Sequence, residues 1–210
     1  MRGRAVEDGP MTEARAGGYA ERENRWLLLF ELSVVLPTVG ILGVLFLREP
    51  PSDWRLTLWI ATIAAIEALP VSAWHGLQVS VGFPLLMVVA FVYAPVPAAV
   101  AAFISASDPR ELRREIPLVR AFFNRSQVAL SILAASATFH ALADLRTSPA
   151  LALGPAALLA AVVDYAINSG MVAAAVSISS HLSPRRVIRE LRIGRLSEFL
   201  VSYLGLAFFG

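Results

Sequence analysis

The chain contains no cysteine and no lysine, and all 18 of its basic residues are arginine. Without cysteine there is no disulfide, no thiolate nucleophile and no thiolate-ligated metal. Only three histidines occur, His75, His140 and His181, too few and too scattered to form a metal site. No nucleophile sits at the spacing of a base, and no glycine-rich phosphate loop is present; Gly17 and Gly18 are a flexible pair in a polar segment. The sequence therefore supports neither catalysis nor a cofactor. Charge is scarce too. Charged residues make up 16% of the chain, against about 25% in a soluble domain.

What replaces charge is apolar sequence: 57% of the 210 residues are hydrophobic. The charges crowd into the first 25 positions, a block around 108–125 and a block around 185–198. Between them run long stretches with almost none, the pattern of a lipid-embedded chain. The runs are continuous and do not alternate, so helices rather than barrel strands are expected to span. The net charge of +2 would suit nucleic acid, but arginines in the loops of a membrane protein read as topology.

Residues 1–25 are polar, rich in Gly, Ala, Arg and acids, and read as a disordered cytoplasmic tail. The remainder, 26–210, reads as one transmembrane helical domain. A first span is expected from Trp26 to Leu47, stopped by Pro50 and Pro51. It is too long for a signal-peptide core and lacks a cleavage site. A second runs from Trp54 to Leu69. The tryptophans at both starts suit a membrane interface. Gly82 to Ser107 is either one span or a hairpin broken at Ala94-Pro95-Val96-Pro97, where two prolines remove two amide donors. Further spans are expected from Pro117 to Ala143 and from Pro155 to His181, with a last apolar run from Leu196.

Counting arginines chooses between the two paths. With a hairpin and the N-terminus inside, the inner segments hold 15 arginines and the outer loops hold three, Arg48, Arg55 and Arg146. A single span over 82–107 leaves 6 inside and 12 outside. Cytoplasmic loops collect arginine, so the hairpin is preferred. The expected fold is thus an all-α polytopic bundle of six complete spans and a truncated seventh, in a bacterial inner membrane with a cytoplasmic N-terminus.

An ionisable group at membrane depth needs a partner or a path to water. Glu31 and Glu67 fall near the inner ends of the first two spans, on the side of Arg120 and Arg125. The four form either an ion-pair lock or a ligand or proton site. Asn124, Gln127, Ser131 and Thr138 follow spacings of three, four and seven, and so share one helix face. Such a stripe is either helix–helix glue or the polar wall of a cavity. Asp164, four residues before Asn168 and beside Tyr165, is the deepest charge, about 14 Å in from Pro155 at 1.5 Å per residue. It is either a packing residue or the centre of a sensing site made with Asn168, Asn124, Gln127 and Ser131.

Several short motifs resemble one known family. These are Val79-Ser80-Val81-Gly82-Phe83, the turn Tyr93-Ala94-Pro95, Phe123-Asn124-Arg125-Ser126-Gln127 with Ala129-Leu130-Ser131, and Tyr165-Ala166-Ile167-Asn168. Together they resemble the multi-helix N-terminal membrane region of bacterial HD-GYP and GGDEF signalling proteins, over roughly 50–205. Where that family has Gly-Pro at the hairpin tip, this chain has Ala-Pro. The resemblance implies an input module ahead of a cytoplasmic domain that makes or breaks cyclic-di-GMP, or of another HD-type phosphohydrolase. None of those catalytic motifs occurs in these residues.

The opening segment, the proline-broken hairpin and six spans also resemble substrate-binding subunits of energy-coupling-factor vitamin transporters. A small polytopic permease is a weaker third reading, since no repeat of the apolar pattern accompanies it. An apolar stop at Gly210 favours the input module, with the rest of span seven and one more span expected beyond. The Arg185–Arg195 block suits the inner interface, with its arginines on anionic headgroups. The expected partners begin with the lipid bilayer, with room for a small-molecule ligand and a homodimer, and exclude nucleic acid.

Overall fold

The computed structural model describes residues 11–48, 53–68, 82–107, 111, 113, 115–180 and 182–190. Among the described residues seven helices are defined: α1 (Met11–Arg48), α2 (Trp54–Glu67), α3 (Phe83–Val92), α4 (Pro95–Ser105), α5 (Leu118–Leu142), α6 (Ala150–Ser180) and α7 (Pro184–Glu190). The described residues contain no strand.

Local chemistry sets the boundaries. Asp53 caps α2, its Oδ1 accepting from the amide of Arg55 at 2.9 Å. Between α3 and α4, Tyr93 and Ala94 are extended, with ψ of 150° and 157°. Ala94 precedes a proline, which excludes it from the helical region. Pro95 then opens α4, where its missing amide costs nothing. Asp144 organises the turn after α5, accepting from the amides of Arg146 (2.7 Å) and Thr147 (3.2 Å), while its own amide donates to Ser148 Oγ at 2.9 Å.

The contacts order the helices along one axis. At one end α5 begins beside Glu31 of α1, and at the other Tyr93 meets Asp53 at the head of α2. α5 is the central helix, packed against α1, α3, α4 and α6. Small side chains allow the close approach: Ala98, Ala101 and Ala102 of α4, Ala135 of α5, and Ala160 and Ala161 of α6 share a core with Ile132 and Phe139. A second core joins Leu42 of α1 to Ala99 and Val100 of α4 and Ala129 of α5.

One expectation is corrected. Among the described residues only two helices are long and apolar enough to cross a membrane, Arg25–Arg48 within α1 and Ala150–Ser180, not six. The Tyr93-Ala94-Pro95 joint limits α3 and α4 to 10 and 11 residues, about 15–17 Å each at 1.5 Å per residue, half a bilayer core. α2 has only 14 residues. α5 has the length, with 25 residues, but Arg120, Asn124, Arg125, Gln127 and its serines dilute its apolar character. The tally of 15 inner to three outer arginines belonged to the six-span path and falls with it. The truncated seventh span, from Leu196, lies outside the described residues.

The first helix reaches back into the polar N-terminal segment. Residues 11–25 are helical, as the first turns of α1. The segment is rich in Ala, Glu and Arg, good helix formers, which outweigh Gly17 and Gly18 once an apolar helix follows. Residues 1–10 lie outside the described residues. α6 likewise starts five residues ahead of the expected Pro155, which the helix accommodates in its second turn.

Candidate functional site: a polar seam between α5 and α6

Polar side chains gather where α5 faces α6. Gln127 Nε2 donates to Asn168 Oδ1 and lies 3.4 Å from the Asn168 carbonyl oxygen. Gln127 and Ser131 are buried, one turn apart on α5. One turn back from Asn168 stands Asp164, the fifteenth of the 31 residues of α6 and fully buried. Neither of its carboxylate oxygens has a hydrogen-bond partner. The Ser131 hydroxyl is its polar neighbour, but that hydroxyl donates to the Val128 carbonyl at 3.0 Å within its own helix. A buried carboxyl without a partner is among the costliest groups a fold can hold.

The rest of the predicted stripe diverges. Asn124 is exposed. Thr138 donates to the Ala134 carbonyl of its own helix at 2.7 Å. Ser136, absent from the predicted set, is buried and reaches across to the Tyr93 carbonyl at 3.1 Å. The polar seam between the two helices therefore brings together Asp164, Asn168, Gln127 and Ser131, while Asn124 is exposed.

The four ion-pair candidates do not form one cluster. Buried Glu31 meets half-exposed Arg120 at 3.6 Å. Arg125 turns to Glu111 instead, through Nε at 3.1 Å and Nη2 at 2.7 Å. Glu67 lies against Gly82, where α2 ends and α3 begins. Sequence reasoning missed Glu111, which stood unremarked in an arginine-rich connection.

It also missed the network at the opposite end. The Tyr93 carbonyl, freed by the helix break, accepts from Ser136 and lies 2.9 Å from His140 Nε2. The Tyr93 hydroxyl donates to Asp53 Oδ2 at 3.3 Å. Desolvation, and then the Asp53 carboxylate, push the Tyr93 phenol above its ordinary value. Backbone amides do the reverse to Asp144, Arg146 first, holding its carboxyl below the usual carboxylate range. His75 and His181 lie outside the described residues.

Among the described residues no group of three His, Asp or Glu side chains could hold a metal. A cavity of about 200 Å³ lies between α1 and α4, lined by Leu42, Gly43, Phe46, Val100 and Phe103 among others, all apolar or glycine. Compared with protein-family models, with curated proteins and with solved structures, the chain matches none.

Proposed function

We propose that this chain is an integral membrane input module of a bacterial signalling protein, with the seam around Asp164 as its sensing centre. The observation that carries the reading is Asp164 itself, a fully buried carboxyl with no partner, one turn from a side-chain bond that joins two helices. A group so costly to bury is retained for what it does more often than for packing. Gln127 and Asn168, two of the residues that carry the resemblance to HD-GYP and GGDEF membrane regions, are bonded to each other here. On that resemblance the module governs a cytoplasmic domain that makes or breaks cyclic-di-GMP, or another HD-type phosphohydrolase, and is not itself an enzyme.

The surface supports membrane insertion. In the most apolar window of both α1 and α6 only 22% of residues are buried, whereas a core helix of a soluble domain is mostly covered. Leu36, Leu47 and Leu151 face outward. Exposed apolar surface of this extent matches lipid, so the bilayer is the first partner. The arginines flanking the two helices set the orientation. Five precede the apolar part of α1, and only Arg48 and Arg55 follow it closely. Arg146 precedes α6, while Arg185, Arg186 and Arg189 follow it. The N-terminus and the segment after α6 are thus cytoplasmic, in the inner membrane of a bacterium.

The test compares cellular cyclic-di-GMP across growth conditions in strains carrying the wild-type gene or Asp164→Leu. The substitution should leave the protein in the membrane fraction and abolish the response. An unchanged response would return Asp164 to a packing role. A purified chain that retains a vitamin-like molecule would instead favour a transporter subunit.

A further inference from the structure

We infer that Asp164 is a proton-binding site, neutral while α5 and α6 pack as they do here and ionised only when that interface opens to water. The inference rests on the sensing reading above and names the ligand of the same site. The carboxyl has no exposed surface, and both oxygens lack partners. Its surroundings offer nothing to offset a charge. Ser131 donates to the Val128 carbonyl rather than to the carboxyl, and no hydrogen bond from Asn168 reaches either Asp164 oxygen.

The charged groups on the helices packed around α6 are committed or distant. On α5, Arg120 pairs with Glu31 of α1 and Arg125 pairs with Glu111. Arg25 and Arg48 lie exposed at the two ends of the apolar part of α1. Arg185, Arg186 and Arg189 of α7 are exposed beyond the end of α6. None of these charges is paired with Asp164, whose two oxygens have no partner. An ionised carboxylate there would be uncompensated, so the proton is the ligand that makes this packing tenable. A metal ion would need further ligands, and no such set occurs among the described residues. A proton needs no cavity.

Asp164→Asn keeps the shape and removes the titration. Infrared spectra of the full chain in lipid vesicles would show the carbonyl band of a protonated acid at neutral pH. That band should be lost as pH rises and be absent from Asp164→Asn. The native chain has no cysteine, so Ser131→Cys supplies a unique label at the interface. Its labelling rate, divided by the rate in the Asp164→Asn background, should stay near one at acidic pH and climb as the band disappears. No Asp164-dependent acid band at neutral pH would overturn the inference, and point to a bound cation holding an ionised carboxylate. A band that never titrates would overturn it too, as a permanent packing acid. A titrating band with an unaltered cyclic-di-GMP response in Asp164→Asn would uphold the proton site and remove the sensing reading.

Discussion

Arg125 Nη1 donates to the Ile104 carbonyl oxygen at 3.3 Å, placing a cation on the C-terminal end of α4. The last carbonyls of a helix lack intrahelical donors and carry the negative end of its dipole. The same guanidinium grips Glu111, with both partners largely covered. Arg125→Met should therefore destabilise the chain by about 2 kcal/mol, since it removes the ion pair with Glu111 and uncaps α4 together. Arg125→Lys should recover only part, because lysine keeps the charge and loses the fork. Thermal unfolding in detergent, with Glu111→Gln completing a double-mutant cycle, would measure it. Additive single effects would show that the pair is not coupled.

The seam makes a second quantitative prediction. Gln127→Leu and Asn168→Leu each break one side of the same bond. Their coupling energy should be about 1 kcal/mol, the scale of interhelical polar bonds in membrane bundles. A coupling indistinguishable from zero would mean that the two side chains do not meet in lipid.

Gly82 makes a third. A Cβ at this position would run into the carboxyl end of Glu67 and lie 3.0 Å from its Cγ. Gly82→Ala should cost about 1 kcal/mol, because Glu67 must move. The cost should vanish in a Glu67→Ala background. A penalty that survives there would place the strain in the backbone.

Asp144 predicts an acid limb. Its folded carboxyl lies below the ordinary value because the backbone amides of Arg146 and Thr147 favour the charged form. Its stabilisation is therefore complete above the unfolded value of about 3.9 and is lost as pH falls through the lower folded value. The thermal midpoint of wild type should exceed that of Asp144→Ala at neutral pH, and the gap should close below about pH 4. A gap that persists in strong acid would assign the effect to shape.

The orientation is checked with reporters. A fusion after Arg189 should report the same side as the N-terminus, and one after Arg146 the opposite side. Agreement between the reporters at 146 and 189 would sink the assignment.

Some of this was legible in the sequence because it is local. The break before Pro95 follows from what a proline forbids in its neighbour, and Gln127 and Ser131 share a face by helical period alone. What was not legible depends on how far one helix covers another. Asn124 lies within about 60° of Gln127 around α5, yet it is exposed while Gln127 is buried. Periodicity gives an angle, not the reach of a neighbour along the axis. Long apolar content likewise reports lipid affinity without reporting helix length, so from sequence alone four short or diluted helices pass for full spans. The Arg125–Glu111 pair joins residues 14 apart in the chain, a pairing that the period of α5 alone does not give.

The Tyr93 carbonyl has a mechanical consequence. By accepting from Ser136 and lying against His140, it rivets the α3–α4 elbow to α5 at two successive turns. The Tyr93 hydroxyl carries that fastening on to Asp53 at the head of α2. Four helices are thereby tied through one residue into a single stiff frame. α6 lies along this frame with its polar fastening to α5 at Gln127. A push on α6 would be borne as sliding against a fixed rail, and the alanines along its inner face are the bearing surface over which such travel meets the fewest steps.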